Sequence, residues 1–263
     1  MRPDNARTMA SIALDVARAA GELAWRGHRR PKRVDHKAHE EIVTEFDIEA
    51  ERLVRGALAR MTPDIPVVAE EEGGQGADVV WYVDPIDGTV NYSRGHPFWA
   101  VSVGLVEHGI PVAGAVVAPS LGLAWHGWMG GLALRNGEAC HVSSTDDLRN
   151  AMLATGFPYD RRTSQENNFS QFLALKRVAL GVRRCGSAAI DLCLVADGTY
   201  DGYWEMKLRP WDIAAGAALV LAASGQVTAY DGAPLDLLRG EIVASNGRIH
   251  ERLLHVRREA SGP

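Results

Sequence analysis

The sequence has few cysteines and no long apolar run. Only Cys140, Cys185 and Cys193 occur among 263 residues, and their spacing matches no metal-binding motif. So few thiols, in an odd number, are typical of a protein in a reducing compartment. The N-terminus lacks the apolar segment of a signal peptide, and the longest apolar stretch, residues 213–223, is too short to span a bilayer. We therefore expect a cytoplasmic protein that does not enter a membrane.

The sequence also lacks an excess of positive charge. Its formal net charge is −5, so no general attraction draws the chain to nucleic acid, which we do not expect as a partner. Basic clusters do occur at residues 29–33, 161–162 and 183–184. Each is interpreted as a solvated surface, because short runs of like charge usually are.

Several familiar catalytic motifs are missing. No serine lies in a G-x-S-x-G elbow, and neither G-x-G-x-x-G nor a P-loop occurs. The nine histidines form no H-E-x-x-H motif and no zinc spacing. These absences argue against a nucleophile-elbow hydrolase, a dinucleotide-binding enzyme, a P-loop NTPase and a zinc protease.

The patterns of apolar residues predict a mixture of helices and sheets. Helical spacing predicts helices over residues 8–26, 165–180, 188–195 and 212–223, with further helices starting near Thr44 and Ile249. Runs rich in β-branched residues predict strands at residues 67–69, 79–83, 100–106 and 112–118. Turn signals at residues 107–109 and 136–137 predict an antiparallel meander over residues 98–142.

Strands and helices alternate beyond residue 150. Predicted strands at residues 151–155, 200–205, 227–230 and 242–244 lie between the helices of this half. The length and the composition fit one large α/β unit or two closely joined ones. We expect layered sheets and helices in one compact unit, with a boundary near residue 147 that separates residues 1–147 from residues 148–263.

Residues 81–92, Trp-Tyr-Val-Asp-Pro-Ile-Asp-Gly-Thr-Val-Asn-Tyr, are the most informative segment. Asp84 and Asp87 follow an apolar strand, and Gly88 and Thr89 come next with free backbone amides. Carboxylate and carbonyl oxygens are the ligands that Mg²⁺ prefers, and a phosphate group binds both metal and N–H groups. Asp-Pro and Asp-Gly are also common turn pairs, so ordinary Asx turns are an equal alternative.

Other acidic residues have two readings each. Glu70, Glu71 and Glu72 form either a solvated loop or, through a strand-end glutamate, part of a carboxylate cluster with Asp84 and Asp87. Asp212 either caps a helix or supplies a further metal ligand. Asp47 caps a helix whether or not it takes part in catalysis.

The spacing of three motifs resembles the inositol monophosphatase family over nearly the whole chain. The segments that carry the resemblance are Asp84-Pro85-Ile86-Asp87-Gly88-Thr89-Val90-Asn91-Tyr92, Glu70-Glu71 upstream and Trp211-Asp212-Ile213-Ala214-Ala215-Gly216 downstream. Lys37, Val43-Thr44, Asp47, Thr155-Gly156-Phe157-Pro158, Gly186-Ser187-Ala188-Ala189 and Glu205 match in position. The resemblance implies a five-layer α-β-α-β-α sandwich of the sugar phosphatase type, a homodimer and a Mg²⁺-dependent, lithium-sensitive phosphomonoesterase.

The resemblance also implies a role for each site residue. Glu70, Asp84 and the carbonyl of Ile86 would hold one Mg²⁺, and Asp84, Asp87 and Asp212 a second, with a weaker third ion near Glu70. Thr89 and Asp47, with Glu70, would orient the attacking water. The amides of Gly88 and Thr89 would hold the phosphate. The substrate pocket would further include Asp87, Gly186, Ser187, Ala188, Glu205 and Asp212.

The sequence departs from the family pattern at two places, and the choice among several substrates stays open. Glu41 stands where the family often has Asp, and Glu72 leaves the register of the glutamates open, although Glu70 is our choice. The segment Thr89 to Tyr92 favours inositol-1-phosphate, a small phosphorylated polyol, over fructose bisphosphate and nucleotide bisphosphates. Histidinol phosphate is an alternative substrate. Some bacterial relatives bind the transcription or ribosome-assembly machinery, so a second, binding role is a further alternative.

Overall fold

The two large β-sheets of the protein are separated and enclosed by three layers of helices. The computed structural model describes residues 1–30, 32–36 and 42–260. Lys37, which contributes to the family resemblance, and Glu41, where the family often has Asp, lie outside the described residues. From one surface to the other, the layers are α1 and α2, a seven-stranded sheet, α5 and α6, a five-stranded sheet, and α4 and α7.

The first layer contains two N-terminal helices. Helix α1 spans Pro3–Gly27, which confirms the predicted helix and extends it by one turn to a proline at its start. Helix α2 spans Glu45–Met61. A row of fully buried alanines lets α1 lie close to the sheet: Ala10, Ala13, Ala17, Ala20 and Ala24. A short antiparallel pair, β1 (Val34–His36) and β2 (Ile42–Thr44), leads into α2.

The seven strands of the first sheet lie side by side in chain order. They are β3 (Val67–Ala69), β4 (Val79–Asp87), β5 (Ala100–Glu107), β6 (Ile110–Ala118), β7 (Leu123–Trp128), β8 (Ala133–Arg135) and β9 (Glu138–Cys140). Only β3 and β4 pair in parallel. The predicted meander is confirmed, since each strand from β5 to β9 pairs antiparallel with the next. Burial is nearly continuous along β4, β5 and β6, because helices cover both faces.

The second sheet has the strand order β11-β10-β12-β14-β13. Its strands are β10 (Met152–Thr155), β11 (Gly181–Arg183), β12 (Gly202–Glu205), β13 (Gln226–Thr228) and β14 (Ile242–Ser245). Helices α5 (Ala188–Ala196) and α6 (Pro210–Ala222) fill the space between the sheets, and α4 (Phe169–Val178) and α7 (His250–Ala260) cover the outer face. The short helix α3 spans Thr89–Ser93, and 3₁₀ turns occupy Pro119–Leu121 and Leu148–Asn150. The five-layer α/β fold is therefore confirmed.

The predicted helix over residues 165–180 is too long at both ends. Asn168 has a left-handed backbone with φ of 69°. Its buried amide donates to Thr155 Oγ1 at 2.9 Å and accepts from Trp204 Nε1 at 2.8 Å. These contacts with distant residues fix Asn168 outside the helix, so α4 begins at Phe169. After Val178 the chain forms β11 instead of continuing the helix.

The inner face of the first sheet is covered by α5 and α6, which belong to the C-terminal half of the chain. The first sheet ends at Cys140 and the second begins at Met152, but α6 contacts strands of both sheets. One buried cluster accordingly contains residues from both halves, such as Val116 and Leu219. The boundary near residue 147 stays a prediction. Among the described residues, no helix combines the length and the apolarity needed to cross a bilayer.

Close contact between backbones fixes α6 on the first sheet. A Cβ atom on Gly104 of β5 would lie 2.5 Å from the backbone nitrogen of Ala215. On Gly114 of β6 it would lie 2.8 Å from Ala215 Cα. At the start of α6, Ser102 Oγ donates to the carbonyl of Trp211 at 3.3 Å, and Ser102 is the strand partner of Asp84. The glycines therefore hold the start of α6 beside the end of β4.

We expect Gly104→Ala to destabilise the protein by about 1–3 kcal/mol, because the new methyl group meets backbone atoms that cannot turn away. Gly56→Ala is the matched control. Gly56 lies inside α2, and a Cβ there would be 3.5 Å from the flexible Arg60 side chain. That change should stabilise the protein by up to about 1 kcal/mol, since alanine favours helix. Urea unfolding measures both, and equal effects would contradict the packing argument.

Candidate active site

The end of β4 carries two buried aspartates in a distorted stretch of strand. The pairing with β5 shifts between Asp84 and Asp87, which face Ser102 and Ala100. Asp84 is 2 % exposed and Asp87 is 8 % exposed. Asp84 Oδ1 accepts the N–H of Ile86 at 2.9 Å, so the Asx turn that the sequence allowed is present at Asp84. The same turn leaves the second carboxylate oxygen of Asp84 available to other ligands.

Thr89 and Asp47 form a pair at the start of α3. Thr89 Oγ1 lies 3.1 Å from Asp47 Oδ1 and 3.0 Å from the carbonyl oxygen of Ile86. The other oxygen of Asp47 accepts the N–H and the hydroxyl of Thr44 at 2.8 and 2.5 Å, the capping box that the sequence predicted. Burial raises the pKa of Asp47 to about 6, and the charge of Glu70 adds to the rise. Asp47 is thus both a helix cap and a neighbour of the strand end.

Gly88 occupies a position that only glycine fits. Its φ is 92°, and a Cβ atom would lie 3.0 Å from the carbonyl oxygen of Gly186 and 3.1 Å from that of Phe98. The neighbouring Asn91 donates through Nδ2 to the carbonyls of Phe98 and Cys185, at 2.7 and 2.8 Å. The loop after β4 and the loop before α5 therefore lie against each other.

The charges around the turn after β3 distinguish Glu70 from Glu72. The charge of Glu70 raises the pKa of all four aspartates discussed, Asp47, Asp84, Asp87 and Asp212. Glu72 is exposed and instead lies 3.5 Å from Arg52 and 3.8 Å from Arg55. Of Glu70 and Glu72, Glu70 is the one whose charge acts on the aspartates.

Asp212 lies at the start of α6 and Asp87 contacts the start of α5. Asp212 Oδ2 accepts the N–H of Arg209 at 2.7 Å, which is the helix-cap reading of the sequence. Burial, followed by the charge of Asp87, raises the pKa of Asp212 well above its ordinary value. Asp87 Oδ2 accepts the Ser187 hydroxyl at 2.5 Å and the N–H of Ala189 at 2.7 Å. Asp87 therefore joins the two halves of the chain.

Glu205 and Gly156 lie together at the ends of β12 and β10. A Cβ on Gly156 would fall about 2.0 Å from Glu205 Oε1, so the Glu205 carboxylate occupies the space that glycine leaves. Burial raises the pKa of Glu205 to about 7, although the Tyr203 hydroxyl and the positive charge of Arg184 lower it. Among the predicted substrate residues, Gly186, Ser187 and Ala188 form the loop and first turn of α5.

Two acidic residues near the site were missed from the sequence. Asp191 is 1 % exposed, and its Oδ1 atom has no hydrogen-bond partner among the described residues. Burial, then the charge of Glu205, raises the pKa of Asp191. Glu51 is fully buried one turn after Asp47. The available signals were a carboxylate inside the apolar helix α5 and the i, i+4 spacing of Asp47, Glu51 and Arg55.

Among the described residues, no cationic side chain forms an ion pair with the aspartates of the site. Burial is the first cause of the raised pKa at Asp84, Asp87 and Asp212, and neighbouring carboxylates raise it further. In residues 1–30, 32–36 and 42–260, neither these three nor Asp47 pairs with Lys, Arg or His. Within the same ranges, no three His, Cys, Asp or Glu side chains are already gathered as ligands of one ion. The donor chemistry nevertheless fits a hard divalent cation, which would offset buried carboxylate charge.

Comparison with known proteins gives a consistent assignment. The model of the inositol monophosphatase family matches residues 5–261. The inositol-1-monophosphatase of Synechocystis sp. is 39% identical over 95% of this chain and 89% of its own length. The Nus factor SuhB of Pseudomonas aeruginosa is 38% identical over 94% of each chain.

A solved structure agrees with the sequence comparisons. The inositol monophosphatase of Anabaena (Nostoc) sp. superposes with a TM-score of 0.90 at 38% identity, over 97% of each chain. Both the match to the family model and this likeness extend over both sheets and all three helix layers. The chain therefore belongs to the inositol monophosphatase family of phosphatases.

Proposed function

We propose that this phosphatase is a Mg²⁺-dependent phosphomonoesterase that hydrolyses inositol monophosphate to inositol and phosphate. One feature carries the proposal: a group of buried or half-buried carboxylates forms no ion pair with a cationic side chain among the described residues. These carboxylates are Asp47, Asp84, Asp87 and Asp212. The charge of Glu70 raises the pKa of each of them. Phosphate ester hydrolysis is very slow without a catalyst, and metal ions supply the charge neutralisation that it needs. Lithium inhibition, a cytoplasmic location and a homodimer belong to the same proposal.

The proposed metal ligands come from three separate places in the chain: the turn after β3, the end of β4 and the start of α6. Glu70, Asp84 and the Ile86 carbonyl would hold one ion, and Asp84, Asp87 and Asp212 a second. A third would lie near Glu70. When bound, Mg²⁺ would supply charge neutralisation for the phosphate and an acidified water. The backbone N–H groups that already bind one oxygen of Asp84 and Asp212 fix these side chains in orientation, as partners of metal ligands commonly do.

Thr89 and Asp47 would handle the proton of the attacking water. Thr89 Oγ1 can accept a hydrogen bond from the water while it donates its own hydrogen to Asp47 Oδ1, 3.1 Å away. Because the pKa of Asp47 is raised to about 6, that carboxylate is a better proton acceptor than an ordinary aspartate. With Glu70 as the second orienting group, water would attack the phosphorus directly, and no phosphoenzyme would form.

The remaining residues would bind the substrate. The amides of Gly88 and Thr89 are suited to phosphate oxygens, and Gly186, Ser187 and Ala188 leave room for a small polyol beside Asp87. Glu205 would accept hydrogen bonds from its hydroxyl groups. The proposed homodimer has support in an exposed apolar patch at and after α4, where Phe169, Leu173 and Leu180 are 46%, 54% and 71% exposed.

A panel of phosphate esters tests the proposed substrate. We expect the highest kcat/KM for inositol-1-phosphate, followed by histidinol phosphate, with fructose-1,6-bisphosphate and adenosine 3′,5′-bisphosphate behind them. Chelation of Mg²⁺ should abolish phosphate release from all four. A preference for histidinol phosphate would indicate that Glu205 binds a cationic group, and release that persists after chelation would contradict the metal-dependent mechanism.

We expect Asp84→Asn to abolish activity while it stabilises the metal-free protein. The amide keeps the acceptor for the Ile86 N–H but removes a metal ligand, so phosphate release should fall by more than the about 100-fold seen when residues around a ligand are changed. The pKa of Asp84 is raised in the folded state, so its ionisation opposes folding above its ordinary value of 3.8. The gain in melting temperature should therefore be absent below about pH 4 and grow as pH rises.

Asp64→Asn is the control for this variant, since Asp64 is exposed. It should change neither activity nor the melting temperature in EDTA. An Asp84→Asn protein that retains full activity, or that is less stable than wild type in EDTA at pH 8, would contradict the proposed role of Asp84.

A second candidate function is binding to the transcription or ribosome-assembly machinery, favoured by the relative named a Nus factor. The two functions are separable by experiment. A partner retained by Asp84→Asn in a pull-down, with phosphatase activity lost, would support an independent binding role. Failure of wild type to retain any transcription component would count against it.

A further inference from the structure

Helix α2 presents three charged side chains at successive turns beside the proposed site. Asp47, Glu51 and Arg55 follow each other at i, i+4 spacing, so they lie on one side of the helix. Asp47 and Glu51 are fully buried, and 22% of the Arg55 side chain is exposed. Asp47 contacts Thr89, as described above. Glu51 and Arg55 contact the turn that carries Glu70.

Glu51 binds the backbone immediately after Glu70. Its Oε2 atom accepts the N–H of Glu71 at 2.7 Å, and its Oε1 atom accepts the N–H of Glu72 at 2.9 Å. Arg55 Nε donates to the same Oε1 atom at 2.8 Å. Two backbone N–H groups and one guanidinium N–H therefore converge on one buried carboxylate, which gives short, directional, charge-assisted hydrogen bonds.

Arg55 binds the two ends of the same turn. Its Nη1 atom donates to the carbonyl of Val67 at 3.1 Å, and Nη2 donates to the carbonyl of Gly73. Ala69 and Gly73 close the turn with two backbone hydrogen bonds of 3.1 Å. The turn from Glu70 to Glu72 is thus held by β3, by its own bridge and by two side chains of α2.

We propose that Glu51 and Arg55 are positioning residues that set the place of Glu70 relative to Thr89 and Asp47. The inference rests on the proposed function and extends it. Helix α2 contains Asp47 and, through Glu51 and Arg55, also binds the turn that carries Glu70. The helix therefore fixes the distance between Asp47 and Glu70, the two groups that would act on the same water. A buried ion pair adds little net stability compared with apolar side chains of similar size, so we ascribe to this pair a role in the geometry of the turn.

The substitution Glu51→Gln tests the positioning role. The amide has nearly the same shape, but its NH₂ group must face either the N–H of Glu71 or the pair formed by Glu72 and Arg55. One contact therefore becomes donor against donor. The matched control is Glu72→Gln, which removes an exposed carboxylate and its long ion pairs to Arg52 (3.5 Å) and Arg55 (3.8 Å) but keeps every hydrogen bond to Glu51. Both variants lose one negative charge close to the site.

Two readouts are needed, one of them independent of activity. The first is the Mg²⁺ concentration that gives half of the Mg²⁺-induced rise in melting temperature. The second is kcat and KM for inositol-1-phosphate at saturating Mg²⁺. In Glu51→Gln we expect the half-effect Mg²⁺ concentration to increase about tenfold and kcat to fall about tenfold, as for residues that orient metal ligands, with KM changed less than about twofold. Glu72→Gln should match wild type in all of these.

A purely structural role gives a different result. In that case Glu51→Gln would melt at a lower temperature, but its Mg²⁺ dependence and its kcat would equal those of wild type, and the inference would be overturned. Arg55→Lys decides the question if Glu51→Gln does not fold: it keeps the charge, loses the fork to Val67 and Gly73, and should shift the Mg²⁺ dependence in the same direction. A wild-type Mg²⁺ dependence in Arg55→Lys would equally overturn the inference. Absence of any Mg²⁺ effect on wild type would instead refute the proposed function itself.

Discussion

Repulsion among buried carboxylates is the constraint around which this protein is organised. After burial, the charges of Asp87 and Asp212 raise the pKa of Asp84, the charge of Asp87 raises that of Asp212, and the charge of Glu70 adds to all three. The fold tolerates this because each aspartate accepts a backbone N–H at the beginning of a helix or at the end of a strand, from Ile86, Ala189 and Arg209 respectively. Such hydrogen bonds favour the charged form, although burial outweighs them here. The negative charge that these hydrogen bonds leave uncompensated is the physical reason to expect a bound cation.

The layered architecture brings those carboxylates together from distant parts of the chain. Glu70 and Asp84 lie at the ends of adjacent parallel strands, whereas Asp212 begins a helix that belongs to the other half. Glycines at 104 and 114 let that helix rest directly on β5 and β6. A site assembled in this way depends on packing between the two sheets, so substitutions far from the carboxylates are expected to affect it. The buried pair of Glu51 and Arg55 likewise holds the turn that carries Glu70 against α2.

Much of this organisation could be predicted from the sequence, and the parts that could not depend on contacts between distant residues. The helical spacing of α1, the capping box at Thr44 and the turn signals of the meander are local, and they predicted their elements well. The five-layer arrangement of helices and sheets was predicted from the resemblance to a known family. Helix α4 begins later than predicted because Thr155 and Trp204 bind the Asn168 side chain, which no local pattern reveals. Glu51 and Asp191 look like ordinary helix residues until tertiary packing shows that they are buried.

Locating the bound ions would show directly whether these carboxylates are the ligands of catalytic metal ions. Crystals grown with Mn²⁺ in place of Mg²⁺ would give anomalous scattering at each bound ion. We expect one peak bonded to Glu70, Asp84 and the Ile86 carbonyl and a second bonded to Asp84, Asp87 and Asp212. Crystals of protein that is active with Mn²⁺ but shows no anomalous peak at these side chains would contradict it.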